Sequence, residues 1–115
     1  MGKAAPAGWF PRRGEVYLAG GLGAKTRPAI VLSTDALNRF SRDVCIVPLT
    51  TVQHAEFSLR IPIPAREGGL ARDSWAKCDQ VCAIEKRGLI YPMLGRLSAS
   101  TLRRIEDAVR TALGL

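Results

Sequence analysis

Apolar residues fall in short runs along most of the chain and take up a helical spacing only near its end. Glu15 to Leu18 (EVYL) is a short strand candidate. Pro28 to Ser33 (PAIVLS) and Val44 to Leu49 (VCIVPL) are apolar, rich in β-branched residues and too short for helices, which predicts two buried strands. The segment between them, DALNRFSRD, is polar and reads as a turn-rich connection. Phe57 to Ile63 sets Phe57, Leu59, Ile61 and Ile63 against Ser58, Arg60 and Pro62, the alternation of a half-buried antiparallel strand. Beyond the Gly-containing connection REGGLARDS, Trp75 to Ile84 alternates Trp75, Lys77, Asp79, Val81 and Ala83 against Ala76, Cys78, Gln80, Cys82 and Ile84, and reads as one further strand. From there the period lengthens. Leu102, Ile105, Val109 and Leu113 lie on one helical stripe, with Ser98 or Ser100 as N-cap and Gly114 as the stop. Short strands followed by one helix predict a mostly β, α+β domain: a small, strongly curved antiparallel sheet or barrel with the helix packed against it.

The Gly/Pro-containing residues 1–11 read as a flexible lead-in whose Trp9 and Phe10 dock on the body, leaving residues 12–115 as a single domain. Residues 19–26, AGGLGAKT, carry three glycines and read as a mobile loop. Seventeen basic against ten acidic residues give a net charge of +7, which favours a polyanionic partner through counterion release and puts nucleic acid first. No apolar window approaches the roughly 18 residues of a membrane span, and the start, MGKAAPAGWFPRR, has no apolar core of an export signal. With Cys45, Cys78 and Cys82 odd in number and without paired spacing, a reducing cytoplasm is expected.

Chemistry has few candidates. His54 is the single histidine and sits in a polar turn; HExxH, CxxC, GxSxG and the phosphate-binding P-loop are all missing from the sequence. Cys78 and Cys82 are too far apart on a strand to share a metal and read as core fillers, so no cofactor is expected. Arg27 heads one apolar strand and the Thr50–Thr51 pair ends the next. Antiparallel pairing of those strands would bring them to one edge.

The order of the blocks RRGEVYLAG, TRPAIVLSTDALNRF, VCIVPLTT and GLARDSWAKCDQV, followed by the Leu97 to Leu115 helix, resembles the MazF/PemK toxins of toxin-antitoxin systems across residues 12–115. Tyr17 stands where that family often has Trp, and Cys82–Ala83 replaces a more polar pair. The resemblance implies an SH3-like, CcdB-like barrel with a C-terminal helix. It also implies a metal-independent endoribonuclease acting on single-stranded RNA (mRNA, or alternatively rRNA or tRNA) through attack of a 2′-hydroxyl, leaving a 2′,3′-cyclic phosphate and a 5′-hydroxyl. The family's catalytic Arg falls on Arg27 and its Thr on Thr50, with Thr51 as supplement or replacement. Because a guanidinium keeps its proton, Arg27 is expected to stabilise transition-state charge. Lys25 reaches a phosphate, Gln80 reads a base edge, and Arg12, Arg13, Lys86 and Arg87 extend the electrostatic funnel. A homodimer and an acidic, MazE-like antitoxin are implied as partners. The competing expectations are a gyrase-poisoning toxin on the CcdB-like barrel, and a non-catalytic RNA-binding domain in which Arg27 only holds phosphate.

Overall fold

A computed structural model describes residues 3–20, 25–53 and 59–115. It contains β1 (Glu15–Ala19), β2 (Arg27–Val31), α1 (Asp35–Phe40), β3 (Asp43–Thr50), β4 (Arg60–Ile63), β5 (Ser74–Lys77), β6 (Cys82–Glu85), β7 (Leu89–Arg96) and α2 (Ala99–Leu113). The strands form one antiparallel sheet in the order β4-β5-β3-β2-β1-β7, and β6 joins β3 on the edge that β5 also uses. No helix among the described residues is long and apolar enough to cross a membrane.

The continuous apolar runs have a plain cause, because β1, β2 and β3 are covered on both faces. Val16, Ile30, Val47 and Leu49 pack with Ile63, Ala76 and Cys78 under Ile105, Ala108 and Val109 of α2. The alternate residues Tyr17, Ala19, Ala29, Val31, Val44 and Ile46 form a second core with Leu89, onto which Trp9, Cys82 and Ile84 pack. Trp9 meets Tyr17 and Tyr91 edge-on, with ring centroids 5.8 and 5.9 Å away. Helix α2 begins where Ser98 accepts from the Thr101 N–H and ends at Gly114, whose φ of 72° is the left-handed stop that glycine adopts without strain.

Three elements differ from the sequence reading. The DALNRF stretch is a short helix, held at its ends and not by an apolar stripe. Thr34 accepts from the Leu37 N–H, and the Lys86 ammonium donates to the Asn38 and Arg39 carbonyls at 2.9 and 3.2 Å. The strand expected over Trp75 to Ile84 is broken by a 3₁₀ turn at Cys78–Gln80. Leu89–Arg96 is a strand that the pattern did not reveal, and it arches away from β1. Val16 faces Gly95 and Leu18 faces Ile90, so Tyr91 to Leu94 all stand against Tyr17. Ala19 belongs to β1, while residues 21–24 of the expected glycine-rich loop, together with His54 and Phe57, lie outside the described residues. In the described part of the next strand the alternation holds, with Ile63 buried and Pro62 exposed.

Two backbones meet directly where the segment after β4 crosses β7. A Cβ on Gly69 would lie 1.8 Å from the Leu94 carbonyl oxygen, and one on Gly95 would lie 2.5 Å from the Gly68 carbonyl carbon. Glu15, almost wholly buried, gathers the rim beside this contact. Its Oε1 accepts from the Tyr17 hydroxyl at 2.8 Å and the Arg12 N–H at 2.7 Å, and Oε2 pairs with Arg96 at 3.2 Å. Burial, then the Glu15 hydrogen bond, raises the Tyr17 phenol above its ordinary pKa and keeps it a donor.

Gly95→Ala is expected to destabilise the fold by about 1–3 kcal/mol, because backbone and not a flexible side chain must yield, and calorimetry should show a thermal midpoint several degrees lower. Desolvation pushes the Cys78 thiol up to about 11 from 9.0. The folded state therefore holds that proton more tightly than the unfolded chain. The resulting stability is complete below about pH 9 and declines as pH rises towards 11. At pH 8, Cys78 should resist alkylation in the folded protein and react fully in denaturant, as peptide mapping by mass spectrometry would show.

Candidate functional site

β2 and β3 pair with Ala29 opposite Pro48, Ile30 opposite Val47 and Val31 opposite Ile46. Carrying that register two residues further sets Arg27 opposite Thr50, where Cα atoms of facing residues are about 4.5–5.5 Å apart. On the flanking strands Ala19 faces Arg27 and Trp75 faces Thr50. Arg27, Pro28, Leu49, Thr50, Thr51, Val52 and Ser74 line a pocket of about 160 Å³. Arg27 and Thr51 are exposed, Thr50 is half-buried and Ser74 is buried.

The chain reverses immediately after Thr50 because the Thr50 Oγ1 accepts from the Val52 N–H at 3.1 Å, a local side-chain turn. The hydroxyl proton is thus left to donate into the pocket. Ser74 spends its own proton on the Arg72 carbonyl at 3.0 Å, which fixes the pocket floor and leaves its oxygen as an acceptor. Arg27 and the neighbouring Lys25 form no ion pair among the described residues. The pocket therefore joins a guanidinium fork, without an acidic partner among the described residues, to a hydroxyl donor, a combination suited to an anionic, tetrahedral or trigonal-bipyramidal group.

The structure brings Arg27, Thr50 and Thr51 together and leaves Lys25 exposed two residues from Arg27. It places the other sequence candidates elsewhere. Gln80 is exposed on the 3₁₀ turn that packs against α2, so Asp79 and Gln80 do not face opposite sides of a strand. Arg12 pairs with Asp35 and lies over the Phe10 ring. Lys86 is bound to α1 at the far end of β3, where Asp43 faces Glu85. That end is seven residues from Thr50, about 23 Å along an extended chain. Neither Arg12 nor Lys86 lines the Arg27 pocket. Arg13 pairs with Glu106 at 2.6 Å, and Arg87 with Glu85 at 2.6 Å. Ser74, which does line it, was missed by the sequence reading. Its DSW block was visible, but the pairing of that strand with Thr50 was not. Among the described residues no group of three or more His, Cys, Asp or Glu is arranged to hold a metal ion.

Comparison with known proteins agrees with this architecture. The chain is 32% identical to the endoribonuclease MazF1 of Mycobacterium bovis over 106 residues, covering 91% of this chain and 94% of that protein. It is 28% identical to the endoribonuclease EndoA of Bacillus subtilis over 111 residues, covering 90% and 95%. A mycobacterial endoribonuclease solved in complex with its cognate antitoxin superposes with a TM-score of 0.80 at 30% identity, covering 91% of this chain and 96% of that one. The MazE-MazF complex of Deinococcus radiodurans, at 21% identity and a TM-score of 0.78 over 93% and 98%, shares the fold: a mostly antiparallel β-sheet with a C-terminal helix. The family described as PemK-like, MazF-like toxin of type II toxin-antitoxin system matches residues 12–113, and the chain belongs to it.

Proposed function

We propose that the protein is the toxin of a toxin-antitoxin pair and acts in the cytoplasm as an endoribonuclease on single-stranded RNA, leaving a 2′,3′-cyclic phosphate and a 5′-hydroxyl. The observation that carries this reading is the meeting of Arg27, Thr50 and Thr51 in one pocket at the rim of the sheet. The endoribonuclease names of the relatives support it.

In this reading the scissile phosphate sits between the Arg27 fork and the Thr50 hydroxyl. The 2′-oxygen of the preceding ribose attacks phosphorus, the P–O5′ bond breaks, the 2′ proton leaves to a base, and the departing 5′-oxygen takes up a proton. The negative charge that grows on the non-bridging oxygens is met by donors already in place, so little reorganisation accompanies the reaction. Lys25 and Thr51 add contacts to the phosphate or its neighbour. The net charge of +7 suits both RNA and an acidic antitoxin that covers the same groove. The antitoxin bound to a mycobacterial relative supports such a partner. A homodimer that places two such rims along one groove completes the proposal.

Purified protein incubated with long single-stranded RNA in EDTA is expected to give discrete fragments with cyclic phosphate ends. Arg27→Ala and Thr50→Val should each lower kcat by about 10²–10³-fold, the usual loss of one preorganised donor. RNA bound but never cut by wild type would replace this reading with a binding module. Sedimentation equilibrium at micromolar concentration should return twice the monomer mass, and a strictly monomeric protein would remove the shared groove.

A further inference from the structure

Next to the Arg27 pocket lies a second hollow, of about 320 Å³, lined by Pro62, Ile63, Pro64, Asp73, Ser74, Trp75 and Arg104. Ser74 lines both. The sheet register fixes how they adjoin. Trp75 faces Thr50 on one side and Pro62 on the other. Directly opposed residues of an antiparallel pair project from the same face of the sheet, one strand spacing of about 4.8 Å apart. Arg27, Thr50, Trp75 and Pro62 thus form a single row across four strands, with the guanidinium at one end and an indole and a pyrrolidine ring at the other.

Trp75 is partly exposed although tryptophan carries a large apolar surface, and Pro62 beside it is exposed. The hollow is kept open by its frame. The Asp73 Oδ1 accepts from the Ala65 N–H at 2.8 Å, tying together the two chain segments that bound it. Arg104 stands at the margin, held at 3.4 Å to the Thr101 hydroxyl.

One rung further along the same face, Arg60 lies directly opposite Lys77. Like charges so placed repel. The Nε and Nη1 of Arg60 are also buried and have no hydrogen-bond partner among the described residues. Buried donors in this condition are costly until an acceptor is supplied. An aromatic platform bounded by cations on both sides matches a single-stranded polyanion whose bases present flat faces, and an apolar peptide would leave those cations without acceptors.

We propose that Trp75, backed by Pro62, is a stacking platform for the nucleobase adjoining the phosphate held by Arg27 and Thr50, with the Arg60–Lys77 rung receiving the next phosphate. This rests on the endoribonuclease reading and deepens it. The slot makes Trp75 a specificity residue: it favours an unpaired base that can be turned out of its own stack, and so selects single strands over duplex. Because the indole lies one strand from Thr50, stacking also fixes the ribose whose 2′-oxygen must lie in line with the P–O5′ bond.

The test uses the cut site mapped in the cleavage assay, copied as a fully 2′-O-methylated oligonucleotide that binds without being cut. In a Trp9→Phe background, Trp75 is the sole tryptophan, and titration should quench its fluorescence as the base stacks. Trp75→Ala should weaken binding and raise KM by roughly 5- to 150-fold, with a smaller effect on kcat, while Trp75→Phe recovers most of the loss. An abasic nucleotide introduced along the oligonucleotide should weaken binding to the Trp75 protein at one position next to the cut, and should cost the Trp75→Ala protein little at that position. Equal affinity and KM for the three proteins, with wild type cutting normally, would overturn the stacking proposal and leave the ribonuclease reading intact. Failure of wild type to bind or cut RNA would remove both.

Discussion

The register between β2 and β3 is the constraint on which the rest of the structure depends. Alternation of apolar and polar residues does not fix it, because both faces of these strands are buried. Volume does. The face under α2 carries Val16, Ile30 and Val47, whereas the face that receives Tyr17 carries Ala19 and Ala29. A slip by one residue would drive Ile30 into space shaped by an alanine and leave a void where Ile30 had been. Overpacking of that kind costs about 1–3 kcal/mol, and an emptied Ile site about as much or more. The same slip would part Arg27 from Thr50. The interaction that selects the fold thus also aligns the pocket, with no extra device at the site.

Charge is distributed to the same effect. Asp35, Glu106, Glu85, Glu15 and Asp107 are each paired with arginines away from the Arg27 rim. The exposed pairs among them add little to stability, on the order of 0–1 kcal/mol each. Their larger effect is on the field. Acidic side chains cancel Arg12, Arg13, Arg42, Arg87, Arg96 and Arg110 locally, so the surplus of positive charge is carried by residues such as Lys25 and Arg27 that have no such partner among the described residues. The charge of these two lies at the pocket or beside it, where it attracts a polyanion.

What could be read in the sequence was what local pattern encodes. Val44 to Leu49, Pro28 to Ser33 and the Leu102–Leu113 stripe reveal two strands and a helix because burial and period leave their mark on consecutive residues. The Arg27–Thr50 meeting was legible as a consequence of pairing two neighbouring strands whose connection is long enough to let them run antiparallel. Helix α1 was not, since Thr34 and Lys86 hold its two ends from positions 52 residues apart in the chain and its own residues show no stripe. Nor was the distance of Lys86 from the pocket, because a lysine that caps a helix and one that waits for a phosphate look alike in sequence. The direct contact of Gly69 with Gly95 likewise depends on two segments that meet only in the folded chain.

The break between β5 and β6 explains why the row beside Thr50 was hidden. Leu49 and Thr50 pair with Ala76 and Trp75, while Asp43 to Ile46 pair with Glu85 to Cys82, so five residues, Lys77 to Val81, stand against Val47 and Pro48 alone. The interruption falls at Pro48, which has no N–H to offer either neighbour. Had β6 continued in its own register, Cys78 would lie opposite Thr50. The 3₁₀ turn takes up the surplus, folds Cys78 into the core under α2, and brings Trp75 three residues nearer the rim. A segment that reads as one uninterrupted strand therefore does two things that an uninterrupted strand could not. It buries a thiol against the helix, and it aligns an indole with the guanidinium–hydroxyl pair.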